Sequence, residues 1–221
     1  MNEMRLMVGG ERLDLHAERA VYWRQRKCLL LADVHFGKGS VLRRAGISVP
    51  TGQTAGDLTR LDGLIGHYRP AQLIVLGDLV HGDAPRDAPW IGLVNAWRQR
   101  HASLEMTLIA GNHDRHFDAR ELGFDVVGDE LSLPPFLLRH APAPVSGSYV
   151  LAGHVHPGVT VHDGWRRHRL PAFRFTTGVG LLPSFGALTG LHETHAQPDE
   201  RIVAITPGGL VPLGPDAADD A

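Results

Sequence analysis

The sequence predicts an α/β fold in which two sheets pack face to face with helices outside, and three observations predict it. The first half of the chain alternates short apolar runs with helical stripes in the order βαβα. From about residue 125 the pattern changes to strands and turns. No repeat and no linker splits the chain, so residues 1–213 read as one domain. Residues 214–221 (Gly-Pro-Asp-Ala-Ala-Asp-Asp-Ala) read as an acidic tail without order.

Each element has its own signal. Residues 5–8, 12–16 and 19–23 predict an antiparallel meander, with Gly9-Gly10 as a turn. Residues 27–32 form an apolar run ending at Asp33. Its Cys28 is the only cysteine, which excludes a disulfide framework and a cysteine-rich zinc site, and it is expected to be packed in the core. Leu58, Leu61, Leu64, Ile65 and Tyr68 make a helical stripe over 54–68, closed by Pro70. Residues 72–76 form a strand ending at Gly77-Asp78. Pro89 suits a first helical turn, and Trp90, Leu93, Val94 and Trp97 follow at helical spacing as a core face. Residues 104–110 are a strand ending at Gly111-Asn112. Later strands are expected at 135–139, 149–152, 158–162, 172–176 and 201–206.

The 221 residues suffice for a large core, burying roughly 70–75% of the unfolded surface. Apolar residues are 43%, charged residues 21%, and net charge is −2, which excludes a disordered or coiled-coil protein and gives no global polycation. Contact with a polyanion must be local or carried by metal ions. The N-terminus has no apolar leader segment and no run approaches a membrane span, so a cytoplasmic protein is expected.

The chemistry gathers where apolar runs end. The first run gives Asp33-Val34-His35, the second Gly77-Asp78-Leu79-Val80-His81, and the third Gly111-Asn112-His113-Asp114. Arg139-His140 closes a fourth, and Gly153-His154-Val155-His156 a fifth. Loops beyond the carboxyl ends of strands are where α/β folds place ligands. In an extended segment, alternation sets Asp33 and His35 on one side, and likewise His154 with His156, so each pair aims two donors at one point. Glycines at 77, 111 and 153 allow close backbone approach. Any one cluster taken alone fits a cap or turn, whereas four in this order need a common cause. Of the fourteen histidines, His16, His67, His101, His116, His162, His168, His192 and His195 read as surface or satisfied polar residues.

D-x-H, G-D-x-x-H, G-N-H-D, a lone His and G-H-x-H, in that order, resemble the calcineurin-like metallophosphoesterase superfamily. Within it the chain is most similar to the DNA-ligase-associated metallophosphoesterase family. That likeness rests on Leu30–Lys38, Arg43–Pro50, Val75–His81, Gly111–Arg115, Leu151–Pro157 and Leu182–Gly190, spanning about residues 27–190. Ala141 stands where the family has an acidic residue after the lone histidine, and Ser184 where its last block reads L-P-A-F-G. Neither departure is expected to touch a ligand.

The resemblance implies a four-layer α-β-β-α sandwich, two mixed sheets flanked by helices, and a site for two divalent metals roughly 3.5–4 Å apart. It assigns Asp33, His35 and His156 to one metal, Asn112, His140 and His154 to the other, and Asp78 to a bridge. His113 is implied as general acid, with Asp114 either orienting it or capping a strand or turn. Nitrogen and oxygen donors without thiolate suit Mn²⁺, Fe or Zn²⁺, and the resemblance favours Mn²⁺. His81 is a candidate for substrate phosphate. Lys38, Arg43 and Arg44 follow the first pair, and Arg166, Arg167 and Arg169 the last, where they could reach phosphates or simply face solvent. The implied activity is phosphodiester hydrolysis, as a DNA endonuclease in a repair system with an ATP-dependent DNA ligase, helicase and exonuclease. The alternatives are a phosphodiesterase or pyrophosphatase on small or cyclic nucleotides, and a scaffold without catalysis. Oligomeric state is not legible.

Overall fold

Apolar strands that alternate inward on both faces need cover on both, and the chain supplies a layer of helices on one side and a second sheet on the other. The computed structural model describes residues 1–82, 85–194, 197–198 and 200–213, with the backbone alone at Asp163; the expected tail over 214–221 lies outside them. The first sheet opens with the predicted meander, β1 (Glu3–Val8), β2 (Glu11–His16) and β3 (Ala20–Trp23). It continues through β4 (Cys28–Leu31), β5 (Gln72–Leu76), β6 (Glu105–Ile109) and β7 (Asp125–Val127). The seven strands lie in chain order, antiparallel up to β4 and parallel beyond.

Between the parallel strands run α1 (Lys38–Arg44), α2 (Gln53–Tyr68) and α3 (Pro89–Arg100). Leu58, Leu61 and Leu64 of α2 and Trp90, Val94 and Trp97 of α3 meet Leu29, Leu31, Leu73, Val75, Met106 and Leu108 in one cluster. Burying each such side chain contributes about 1.5–3 kcal/mol. Leu93, expected in this face, is 47% exposed. It lies about 100° around α3 from Val94, beyond the width of the contact.

The second sheet is built from β8 (Glu130–Leu133), β9 (Phe136–Arg139), β10 (Tyr149–Ala152), β11 (Pro157–Asp163), β12 (Arg166–Phe175), β13 (Val179–Leu181), β14 (His192–Glu193), β15 (Arg201–Thr206) and β16 (Gly209–Leu213). Its order is β14-β11-β12-β13-β10-β9-β8, with β15 on β12 and β16 on β15. Strands β9, β10 and β13 are parallel and the rest mainly antiparallel. Leu30, Ile74 and Leu76 from the first sheet pack on Phe136, Leu138, Leu151, Phe173 and Phe175 from the second. Cys28 lies in this shared core as expected, and burial pushes its thiol up to about 12.

The α/β class with two mixed sheets is therefore as the sequence predicts. The α-helices of the described residues all lie between Lys38 and Arg100, against the first sheet. The far face of the second sheet carries smaller apolar clusters instead, such as Leu137, Val150, Ala152, Val179 and Leu181. The reason is local: after residue 125 the longest stretch between described strands is 182–191, short of the dozen or more residues that a helical crossover takes.

Candidate metal centre

Strands β4, β5 and β6 run parallel in one sheet and β9 and β10 run parallel in the other, so their five carboxyl ends meet at one edge of the shared core. There Asp33, His35, Asp78 and His140 are buried, His156 is half-buried, and Asn112 and His154 reach solvent. Asp33, His35 and His156 each bring a donor atom within 4.8 Å of the others, as do Asp33, Asp78 and His140. The Asp78 carboxylate stands between the halves, with Oδ2 3.7 Å from His35 Nε2 and Oδ1 3.5 Å from His140 Nε2. His140 Nε2 is also 2.9 Å from Asn112 Oδ1 and 3.0 Å from His154 Nδ1. All seven residues expected as ligands thus converge.

The route to convergence differs from the expected alternation. Asp33, His35, Asp78, His154 and His156 are not extended: each has φ between 52° and 69°, making five of the eight non-glycine residues in this state among those described. Each costs about 1–2 kcal/mol. Strands β4 and β10 stop before these residues, and cross-links between loops hold the kinks instead. The Asp33 and His35 amides donate to the carbonyls of Gly77 (3.1 Å) and Asp78 (2.9 Å), and the His154 amide donates to Asp33 Oδ2 (2.9 Å). Strain concentrated on the donor residues marks this edge as a working site rather than a set of turns.

The donor chemistry fits cations. His140 Nδ1 lies 3.0 Å from the Leu76 carbonyl and His156 Nδ1 3.2 Å from that of Gly190. A carbonyl only accepts, so both Nδ1 atoms carry the proton and both Nε2 lone pairs face the cluster. Those lone pairs therefore confront other acceptors. Asp33 Oδ1, His35 Nε2 and His156 Nε2 are buried with no hydrogen-bond partner. Buried acceptors turned on one another are costly unless positive charge lies between them. Among the described residues, Asp33 and Asp78 have ion-pair contacts only with histidines. Protonation of His35 is opposed: burial, with Lys38 adding to it, pushes its pKa down to about 2. The predicted glycines make the approach possible. A Cβ on Gly77, at φ 79°, would lie 2.1 Å from His140 Nδ1, and one on Gly111 or Gly153 would meet a carboxylate oxygen of Asp78 or Asp33.

The remaining predicted residues divide. The half-buried His113 ring has Nε2 4.0 Å from Asp78 Oδ2 and stacks on His81 with centroids 4.5 Å apart. His81 Nδ1 lies 3.0 Å from His35 Nδ1, and burial pushes His81 down to about 4. Lys38, half-buried at the start of α1, lines a narrow cleft with His35, Gln53 and Asp57, and burial lowers its pKa. Arg43 and Arg44 sit in the last turn of α1, about 8 Å further along the axis. The Arg43 guanidinium donates to the Pro50 carbonyl (3.0 Å) and to Ser40 Oγ (3.3 Å), so it holds the loop after α1 rather than facing the cluster.

Two expectations are corrected. Asp114 does not orient His113. Its Oδ2 accepts from the amides of Asp78 and Gly111 (both 2.8 Å) and its Oδ1 from that of Val80 (3.1 Å), which ties two donor loops together; burial raises its pKa. Ser184 does touch the cluster's frame, because its buried hydroxyl donates to the Asp33 carbonyl (2.7 Å). Residues around it, unremarked in the sequence, complete a clasp on Asp33. Arg19 donates to the carbonyls of Ser184 (3.3 Å) and Gly186 (3.2 Å). Arg60 donates to that of Phe185 (2.9 Å) and lies over its ring at 4.2 Å. The L-P-S-F-G block was the only available signal, and it marked the loop but not its partners.

A family model described as calcineurin-like phosphoesterase matches residues 26–202. Among solved structures, the chain is similar to the Pseudomonas putida nuclease MPE, with 38% identity, a TM-score of 0.85, and coverage of 96% of this chain and 100% of that one. The Escherichia coli phosphoesterase YfcE aligns at 17% identity over 88% of this chain and 94% of its own, with a TM-score of 0.42. No curated protein matches the chain. Among the described residues no helix is long and apolar enough to cross a membrane.

Proposed function

The chain belongs to the calcineurin-like phosphoesterase family, and from that premise we propose that it is a dinuclear metal-dependent phosphodiesterase acting as a DNA endonuclease. The observation that carries the reading is the set of buried polar atoms, Asp33 Oδ1, His35 Nε2 and His156 Nε2, that face one another with no hydrogen-bond partner. In this reading Asp33, His35 and His156 hold one cation, Asn112, His140 and His154 hold the other, and Asp78 serves both. When bound, two such cations lower the pKa of water toward neutrality and neutralise phosphoryl charge. Mn²⁺ is the proposed occupant, with Fe or Zn²⁺ as substitutes compatible with these donors.

The chain's own residues do the rest. His113 carries a proton at the cluster's open side and delivers it to the departing oxygen. His81 braces His35 through the 3.0 Å Nδ1–Nδ1 contact and, with Lys38, meets the substrate phosphate. Asp114 and Ser184 hold the backbone of the donor loops. A nucleic-acid substrate is supported by the similarity to the Pseudomonas putida nuclease along both chains, and DNA follows from the sequence resemblance. A role in repair beside an ATP-dependent ligase, helicase and exonuclease, in the cytoplasm where that DNA lies, follows from the sequence resemblance.

The test incubates the protein and Asp78→Ala with Mn²⁺ and, in parallel, supercoiled plasmid, single-stranded DNA and 2′,3′-cyclic nucleotides. Nicking of DNA that Asp78→Ala and chelation both abolish supports the proposal. Turnover of cyclic nucleotides with intact plasmid, or activity that survives exhaustive chelation, refutes it.

A further inference from the structure

The ribbon formed by β11 and β12 starts at the residue after His156 and turns back at Gly164-Trp165. Trp165 is fully exposed, at 103%, while Trp23, Trp90 and Trp97 are at 1%, 6% and 0%. An indole held in water at a ribbon tip gains nothing for folding, so its use lies outside the fold. Around it Arg166, Arg167, His168 and Arg169 on β12, and His162 on β11, are all exposed.

The register sorts these side chains. Val159 opposes Leu170 and Val161 opposes His168 on one face, where Val159, Val161 and Leu170 pack with Ala172, Ile202 and Ala204. Thr160 opposes Arg169 and His162 opposes Arg167 on the other face. That second face is joined to the donor cluster at its base. The Arg169 guanidinium donates to the Leu191 carbonyl, and the His156 imidazole donates to the carbonyl of the preceding residue, Gly190. A basic face thus runs from the cluster's rim to the exposed indole, on a chain whose net charge is −2.

We propose that this ribbon is a nucleic-acid arm: a single strand leaving the donor cluster lays its phosphates along Arg167 and Arg169 and stacks a base on Trp165. Guanidinium groups suit phosphate, and an indole suits any unpaired base, which selects a single strand over a duplex or a protein. The seven residues of β11 span about 23 Å, the length of about seven stacked nucleotides. The inference rests on the nuclease reading above and assigns where its substrate runs.

The test compares wild type, Trp165→Ala, Trp165→Phe and Arg167→Ala in Mn²⁺ on a long oligothymidylate, a dinucleotide and bis(p-nitrophenyl) phosphate. Trp165→Ala should raise KM for the long strand about tenfold, the scale of one aromatic–base stack, with kcat unchanged. The dinucleotide and the ester, too short to reach the tip, should be unaffected, and Trp165→Phe should restore the long strand. Arg167→Ala should lower the salt dependence of the long strand's KM by about 0.7 in logarithmic slope. Equal kinetics on the long strand, an equal loss on the ester, or a changed mass in solution for Trp165→Ala overturns the arm alone. Wild-type protein that hydrolyses the ester and cleaves no oligonucleotide overturns the nuclease reading and the arm with it.

Discussion

Replacing Asp114 by Asn separates a residue that orients an imidazole from one that braces two loops. The carboxylate accepts three buried amides, those of Asp78 and Gly111 at 2.8 Å and of Val80 at 3.1 Å. An asparagine oxygen can keep the first two, but its NH₂ then faces the Val80 N–H, a donor against a donor. Losing one charge-assisted bond and stranding a buried amide costs roughly 3–5 kcal/mol. Relief of the burial that raises the Asp114 pKa returns part of this, leaving a net loss of about 3 kcal/mol. For a chain of this length that lowers Tm by roughly 6–12 °C. Urea unfolding at pH 7 should show a lower midpoint with an unchanged slope, and titration with Mn²⁺ should show weaker binding by the folded variant, because the Asp78 loop is no longer tied to Gly111. An unchanged midpoint and metal affinity with a fall in kcat alone would refute the bracing role and restore the link to His113.

Two further outcomes follow from buried geometry. Gly77→Ala sets a carbon 2.1 Å from His140 Nδ1 at φ 79°, so calorimetric titration should find Mn²⁺ affinity down at least about tenfold, together with about 1–2 kcal/mol less stability. Burial pushes Asp57 up to about 6 from the 3.8 of an unfolded chain, despite its bond to Arg60. Above pH 6 the carboxylate is charged in both states and its full burial penalty of about 3 kcal/mol is present. As pH falls from about 6 to 4 the folded state alone takes up a proton, so this contribution to stability rises, and below 3.8 the penalty is gone. Asp57→Asn should flatten the stability profile between pH 4 and 6, and an unaltered slope there would count against the buried carboxylate.

What was legible in the sequence was what local pattern encodes. Helix α2, strands β4 to β6 and the donor residues at their ends follow from side-chain periodicity and from the position of the last apolar residue. Helix α1 is too short to show a period, and β8, β13, β14 and β16 are short strands defined by partners distant in sequence. The left-handed kinks at Asp33, His35, Asp78, His154 and His156 carry no signal of their own, since Asp and His occupy extended backbone equally well. The cap at Asp114 was one of two readings the sequence allowed, but its partners, like the one Ser184 finds, are backbone atoms supplied by other loops, which spacing cannot display. The bond from Arg43 to the Pro50 carbonyl, beyond the end of α1, is likewise invisible to spacing.

The outermost imidazole, His156, is steadied by a carbonyl at Gly190, and the Asp33 carbonyl is capped by Ser184. A chain still emerging from the ribosome has therefore made every strand of the first sheet before either fastening exists. The donor cluster is thus completed last, since a half-made molecule lacks the parts that hold Asp33 and His156 in place.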